Sequence, residues 1–328
     1  MLSNRIYLKM LFLILGIILT TAILYAGYFF KHYPLPVTGR ISFDAKIKFI
    51  HEHINTDEID TIIVGSSIGL NNVQGAYLEK GSKKCKKVLN FSVYESSAIQ
   101  VEQLLSLTGI FPNLKRIIYS AQFPDFQHTS KFKNYDPEFL VKYIRKDLNP
   151  ILYAKAMFRF SKDLIFLLNR HAIWNKKHMD SNSFYYLGFD HTGSVPLKIY
   201  EQDAKTKDFN KRRWYNPHSS RHVQAAFDAL DRMSKKAYKN DIKFYFVHQP
   251  YREELIKKYP HVLIEMNRFL ELTKEIVIQN NGFFLSLYKE LQLGNKYFAD
   301  RSHLNDKGSI LAAEAVGEFI DGVENKKF

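Results

Sequence analysis

Five short runs rich in β-branched and aromatic residues alternate with longer helical stretches, and this alternation restricts the fold more than any other feature of the chain. The runs are Asp60–Val64, Lys87–Phe91, Arg116–Ala121, Ile242–Val247 and Phe283–Leu287. Helices are expected over Ser97–Thr108, Arg221–Tyr238, His261–Gln279 and Asp306–Ile320. Such alternation predicts an α/β protein with a parallel sheet covered on both faces. Ligands in such sheets bind at the carboxyl ends of the strands, so chemistry is sought in the turns that follow them. The 328 residues suffice for one large domain or two small ones, and 46% apolar residues supply a sizeable core.

Before the first run lies Met10–Phe30, which carries no charge. It is long enough to cross a bilayer, which takes about 20 residues. A cleaved signal peptide is the alternative, but its apolar core would run only about 7–15 residues, and no small-x-small cleavage site follows. The expectation is an uncleaved anchor over residues 1–32 that contacts lipid through residues 10–30. Arg5 and Lys9 on one side and Lys31, Arg40, Lys46 and Lys48 on the other leave its orientation open. Tyr33-Pro34-Leu35-Pro36 and Gly39 interrupt any helix, and Ala45–Ile54 reads as an amphipathic helix. Residues 33–57 are accordingly expected as a stalk with a leading helix, and 58–328 as the main domain. About 128–220 is too long for a crossover and reads as an insertion over the sheet's active edge, with helical stretches near Pro137–Arg145 and Ile151–Asn169.

Composition removes several function classes. The single cysteine, Cys85, excludes an internal disulfide framework and a cysteine metal site. The formal charge of +14 is dispersed along the chain without a recognisable nucleic-acid motif. It suits attraction to an anionic envelope, and no nucleic-acid partner is expected. Lys211-Arg212-Arg213-Trp214-Tyr215 offers charge and stacking to an anionic glycan, or forms a solvated basic loop.

Two short motifs carry the chemistry. Gly65-Ser66-Ser67 follows the first run directly, so a serine stands at a strand's carboxyl end. As a structural element, the same turn would use Ser66 or Ser67 as a helix cap. Near the end stands Asp300-Arg301-Ser302-His303-Leu304-Asn305, where the spacing lets a carboxylate orient an imidazole and fix its tautomer. Its structural alternative is a surface turn with Asn305 or Asp306 capping the last helix. Serine, histidine and aspartate together supply what a serine hydrolase or acyltransferase needs. His248 ends the fourth run and is a candidate substrate contact. No metal-ligand spacing or phosphate loop is present, and no metal or organic cofactor is expected.

On these motifs the chain resembles the SGNH (GDSL-like) hydrolase superfamily, over about residues 58–126 and 240–321. The resemblance implies a three-layer α/β/α body on a parallel, flavodoxin-like sheet. It implies Ser67 as nucleophile, His303 as base and Asp300 as its partner. Leu89–Glu95 falls where the family's second block supplies an oxyanion glycine, and Ser120-Ala121-Gln122-Phe123 falls at the third block. Three departures stand out. Ser66 replaces the nucleophile block's Asp, as in membrane-anchored members that act on envelope polymers. Glu95 is nearest the missing glycine, where its backbone N–H would serve as oxyanion donor. Gln122 stands where the third block has Asn, and its side-chain amide is the candidate donor in its place. The resemblance implies O-acyl transfer or de-esterification of an envelope carbohydrate in the periplasm or outside the cell, with a membrane acyl-donor protein as partner if transfer is the reaction. The alternative is a catalytically silent scaffold or glycan-binding protein on the same fold.

Overall fold

The computed structural model describes residues 2–32, 40–133, 135–149, 151–152, 155–156, 186–200, 223–253 and 260–326. Much of the expected insertion, most of the Ile151–Asn169 stretch and the whole of Lys211–Tyr215 lie outside these residues.

Five strands form one parallel sheet in the order β2-β1-β3-β4-β5: β1 (Thr61–Gly65), β2 (Val88–Asn90), β3 (Arg116–Ala121), β4 (Lys243–His248) and β5 (Phe283–Ser286). Each strand matches an expected run to within a residue or two at its ends. The reason these runs are strands is visible in their burial. All five residues of β1 and all six of β3 are buried, as expected for parallel strands covered on both faces. Registers such as Ile63↔Ile118 and Val64↔Tyr119 bring β-branched and aromatic side chains side by side.

Helices cover both faces. On the first lie α2 (Ile41–His53), α5 (Ala98–Leu105), α6 (Pro137–Ile144), α7 (Gln224–Lys239) and α8 (Pro260–Gln279). On the second lie α4 (Gly75–Gly81), α9 (Leu287–Leu291) and α10 (Asp306–Asn325). The period of two along each strand divides the core. Ile62, Val64, Tyr119 and Phe246 enter the first layer, while Ile63, Ile118, Tyr245 and Val247 enter the second. In α7, Ala226, Phe227, Leu230, Met233 and Ala237 recur at helical spacing and form its buried stripe. Ser97 starts α5 with a reciprocal capping box to Gln100.

At the amino end, α1 (Leu2–His32) is long and apolar enough to cross a membrane. Its apolar stretch Asn4–Leu24 has mean hydropathy 2.3, and none of it is buried.

The leading helix requires a revision of the expected boundaries. It begins four residues earlier than Ala45, and it does not belong to a stalk. Ile41, Phe43, Ile47, Phe49 and Ile50 are buried in the first core layer. Lys46 is buried too, and its ammonium donates to the carbonyls of Asn90 and Gly193 over the Phe189 ring. Among the described residues, the folded body therefore takes in α2 and its cap Arg40 rather than beginning at residue 58, because α2 covers apolar surface that the sheet would otherwise expose.

Candidate functional site

All five strands run the same way, so their carboxyl ends share one edge. β1 is flanked by β2 on one side and β3 on the other, so the crossover from β1 to β2 and the one from β2 to β3 run in opposite directions, which makes the carboxyl end of β1 a topological switch point. The turn Ser66-Ser67 lies there. Gly65 is required by space, not by a glycine-only conformation. A Cβ on it would stand 2.3 Å from the Ser120 carbonyl oxygen, while its φ is ordinary. Close strand packing, not a turn that only glycine can make, therefore selects this residue.

The two adjacent serines divide the two roles open to them. Ser66 is the N-cap of α3 (Ser67–Asn72), its Oγ accepting the Ile68 N–H at 3.2 Å. Ser67 is the first helical residue, and its Oγ lies 2.8 Å from His303 Nε2. His303 Nδ1 lies 2.9 Å from Asp300 Oδ2. A carboxylate only accepts, so Nδ1 carries the proton and Nε2 faces the serine hydroxyl as an acceptor. The three side chains thus form one hydrogen-bonded series from residues 236 apart in sequence at its serine–histidine link.

The histidine is held from several directions. Asp300 Oδ1 accepts the backbone N–H of Ser302 at 2.8 Å and of His303 at 2.7 Å, folding the four residues into a tight loop. An isolated bridge between Phe298 and Leu304 closes that loop at its base. Asn72, at the end of the serine's own helix, is fully buried and grips the loop twice. Its Oδ1 accepts Leu304 N–H at 2.9 Å, and its Nδ2 donates to Ser302 O at 3.1 Å. Asn305 then caps α10, accepting Gly308 N–H at 3.0 Å. Burial works against ionisation of Asp300, yet the facing imidazole and the two backbone N–H groups outweigh it and hold the carboxyl well below its ordinary range. The residue is therefore an anion at neutral pH and stabilises an imidazolium when one forms. Chemically, the arrangement can transfer a proton from Ser67 to His303 as the serine attacks an electrophile.

The other expected site residues fall around this centre in different states. Glu95 lies after β2 with φ 57°, in the left-handed region that favours glycine. A non-glycine residue thus adopts a backbone conformation that favours glycine. Its carbonyl, with that of Tyr94, accepts from Arg40 Nη1 at 2.9 and 3.3 Å. The Gln122 side chain is engaged elsewhere: Nε2 donates to Pro250 O at 2.7 Å and Ser302 O at 3.3 Å. It braces the histidine loop instead of presenting its amide to a substrate. His248 is completely buried, with Nδ1 3.1 Å from Ser286 Oγ and its ring among Tyr251, Phe269 and Tyr288. Burial, with Lys289 adding, pushes its pKa down to about 3, so it is a neutral interior group and not an exposed contact.

One polar group of the site, Asn72, carries no sequence motif, and its neighbourhood to Ser67 is the only hint of it. Among the described residues, no group of three or more His, Cys, Asp and Glu side chains is arranged to hold a metal ion. Comparison with known protein families and with curated proteins finds no match.

Proposed function

We propose that this chain is a membrane-anchored serine esterase or O-acyltransferase of SGNH type, acting on an ester of an envelope carbohydrate. The observation that carries the reading is the Asp300–His303–Ser67 hydrogen-bond series at the carboxyl end of β1. The strand order β2-β1-β3-β4-β5 supports the finer fold reading, a flavodoxin-like three-layer body. In the reaction, His303 Nε2 takes the Ser67 proton as Oγ attacks the ester carbonyl. The C–O bond to the leaving alcohol breaks, the imidazolium returns its proton to that alcohol, and an acyl-serine remains. Water or a sugar hydroxyl, deprotonated by His303, then attacks the acyl group and regenerates Ser67. The Glu95 backbone N–H is assigned to the oxyanion, since such a hole needs an amide and not a particular side chain. The α1 helix supports a membrane location, and the envelope substrate places the folded body in the periplasm or outside the cell.

A silent scaffold on the same fold is the second reading, favoured by the commitment of the Gln122 amide to two carbonyls. A fluorophosphonate probe separates the two. Labelling of the purified protein that is abolished in Ser67→Ala supports the enzyme. A folded wild-type protein that takes no label overturns it. Release from p-nitrophenyl acetate that accelerates with added glycan acceptor would assign transfer, and acceptor-independent release would assign hydrolysis.

A further inference from the structure

The turn that follows β2 is tied to the nucleophile's own strand and helix. Val93 N–H donates to Gly65 O at 3.1 Å, at the strand end that leads into Ser66 and Ser67. Tyr94 packs against Leu70 of α3, and its phenol oxygen accepts Asn71 Nδ2 at 3.5 Å and donates to Tyr186 O at 2.7 Å. Glu95 follows in the left-handed region, which is costly for a residue with a Cβ. Against this turn lies Arg40, the N-cap residue of α2. One nitrogen of its guanidinium, Nη1, donates to Tyr94 O at 3.3 Å and to Glu95 O at 2.9 Å. These acceptors are the carbonyls on either side of Glu95.

We propose that Arg40 is a positioning residue for the oxyanion donor: by holding both carbonyls that flank Glu95, its guanidinium fixes the direction of the Glu95 N–H. The inference rests on the serine-esterase reading. The Tyr94 carbonyl and the Glu95 N–H belong to one peptide unit, which is planar and trans, so they point in opposite directions. A cation that pins the carbonyl oxygen on one side therefore sets where the N–H points on the other. The contact to Glu95 O fixes the next peptide plane, so the two torsions at Glu95 are held from outside. A glutamate without that hold would relax toward the negative φ that side chains with a Cβ favour, and its N–H would turn away. An oxyanion hole acts through donors that are aimed before the charge develops, so the hold matters to the rate. The guanidinium also draws electron density toward the Tyr94 oxygen, which makes the N–H of the same amide a stronger donor. Arg40 makes no bond to substrate and keeps its proton throughout.

The test is the concentration dependence of fluorophosphonate labelling of the full-length protein in detergent, since the phosphorus adduct places an oxygen where the oxyanion would lie. It yields a maximal rate and a half-saturating concentration for wild type, Arg40→Ala, Glu95→Gly and the double variant. Arg40→Ala should lower the maximal rate roughly tenfold or more, part of the ~10²–10³ that one oxyanion donor supplies, and move half-saturation less than about twofold. The same substitution should cost at least about threefold less in the Glu95→Gly background, because glycine enters the left-handed region without an external hold. A wild-type maximal rate in Arg40→Ala overturns the proposal. An equal loss in the two backgrounds also overturns it, since a role confined to α2 costs the same whatever stands at residue 95. Where Arg40→Ala does not fold, Arg40→Lys, which keeps a point charge without the planar fork, carries the same comparison. If wild type takes no label, the esterase reading fails separately. Amide hydrogen exchange over residues 92–97, measured relative to β3, then decides this inference: faster exchange in Arg40→Ala supports the hold and equal exchange overturns it.

Discussion

At Asp300 one carboxylate performs two tasks with its two oxygens. Oδ1 folds the loop through two backbone N–H groups, and Oδ2 fixes the tautomer of His303. Asp300→Asn keeps the shape but presents an amide that can hold the wrong tautomer. Fluorophosphonate labelling is expected to fall by about 10³–10⁴-fold in a protein that still folds. The sign of the pH effect on stability follows from the same contacts. Asp300 is held below its ordinary range when folded, so its contribution is present above that range and fades as pH falls through it. Asp125 works the other way, since its folded carboxyl is raised to about 6 from 3.8. Its contribution is full below about 3.8 and is lost as pH rises toward 6. Thermal melts of Asp125→Asn should therefore lack part of the decline that wild type shows across that interval. Ser67, Asp300 and His303 were legible in the chain because each sits in a compact motif next to a predicted strand or helix. Asn72 was not, because its partners, Ser302 and Leu304, are distant in sequence and no local spacing records the contact.

The last helix joins the site to the far edge of the sheet. Its amino end is capped by Asn305 two residues after His303, and its 20 residues reach about 30 Å. At its other end Glu324 meets the first residues of β3 and β4. Arg116 donates to it from Nε at 2.6 Å and Nη2 at 2.9 Å, Lys243 Nζ lies at 2.9 Å, and Tyr245 OH donates at 2.7 Å. Burial opposes the charge, but Arg116, Tyr245 and Lys243 outweigh it and hold the carboxyl down to about 2. Glu324→Gln takes the near carboxylate from the largely buried Arg116 and leaves it only Asp60, 3.9 Å away, and the expected loss is about 3 kcal/mol by urea unfolding. In wild type this contribution is present above about 4.5 and is lost as pH falls toward 2. The variant should lack that segment of acid sensitivity, and an equal acid profile would show that the cluster does not act as a unit. Labelling at Ser67 should be unchanged, because Glu324 lies at the opposite edge of the sheet from the carboxyl ends. The strands and their neighbouring helices were legible as elements, since hydrophobic periodicity is a local property. The layer to which each helix belongs was not, because an amphipathic stripe says that a face is buried and not against what.

For the whole molecule, the boundary between anchor and folded body is the testable quantity. A protein lacking residues 1–39 should leave the membrane fraction and keep a cooperative melt, because α1 contributes no buried residue over Asn4–Leu24. One lacking residues 1–57 should aggregate, because it loses the Ile41, Phe43, Ile47, Phe49 and Ile50 side chains that fill the first core layer, together with Lys46. Equal solubility of the two would refute the boundary at Arg40. The sequence by itself determined the class of fold, a parallel sheet between helices, and an apolar amino-terminal helix, because both are written in local periodicity and length. It also marked three chemical groups. Only the tertiary structure decided that α2 belongs to the core, that Ser66 caps while Ser67 faces the imidazole, that the Gln122 amide and His248 are interior groups, and that Asn72 grips the histidine loop. These are long-range facts. They depend on which strands are neighbours and on which polar groups must find partners once water is excluded, and no stretch of chain specifies either alone.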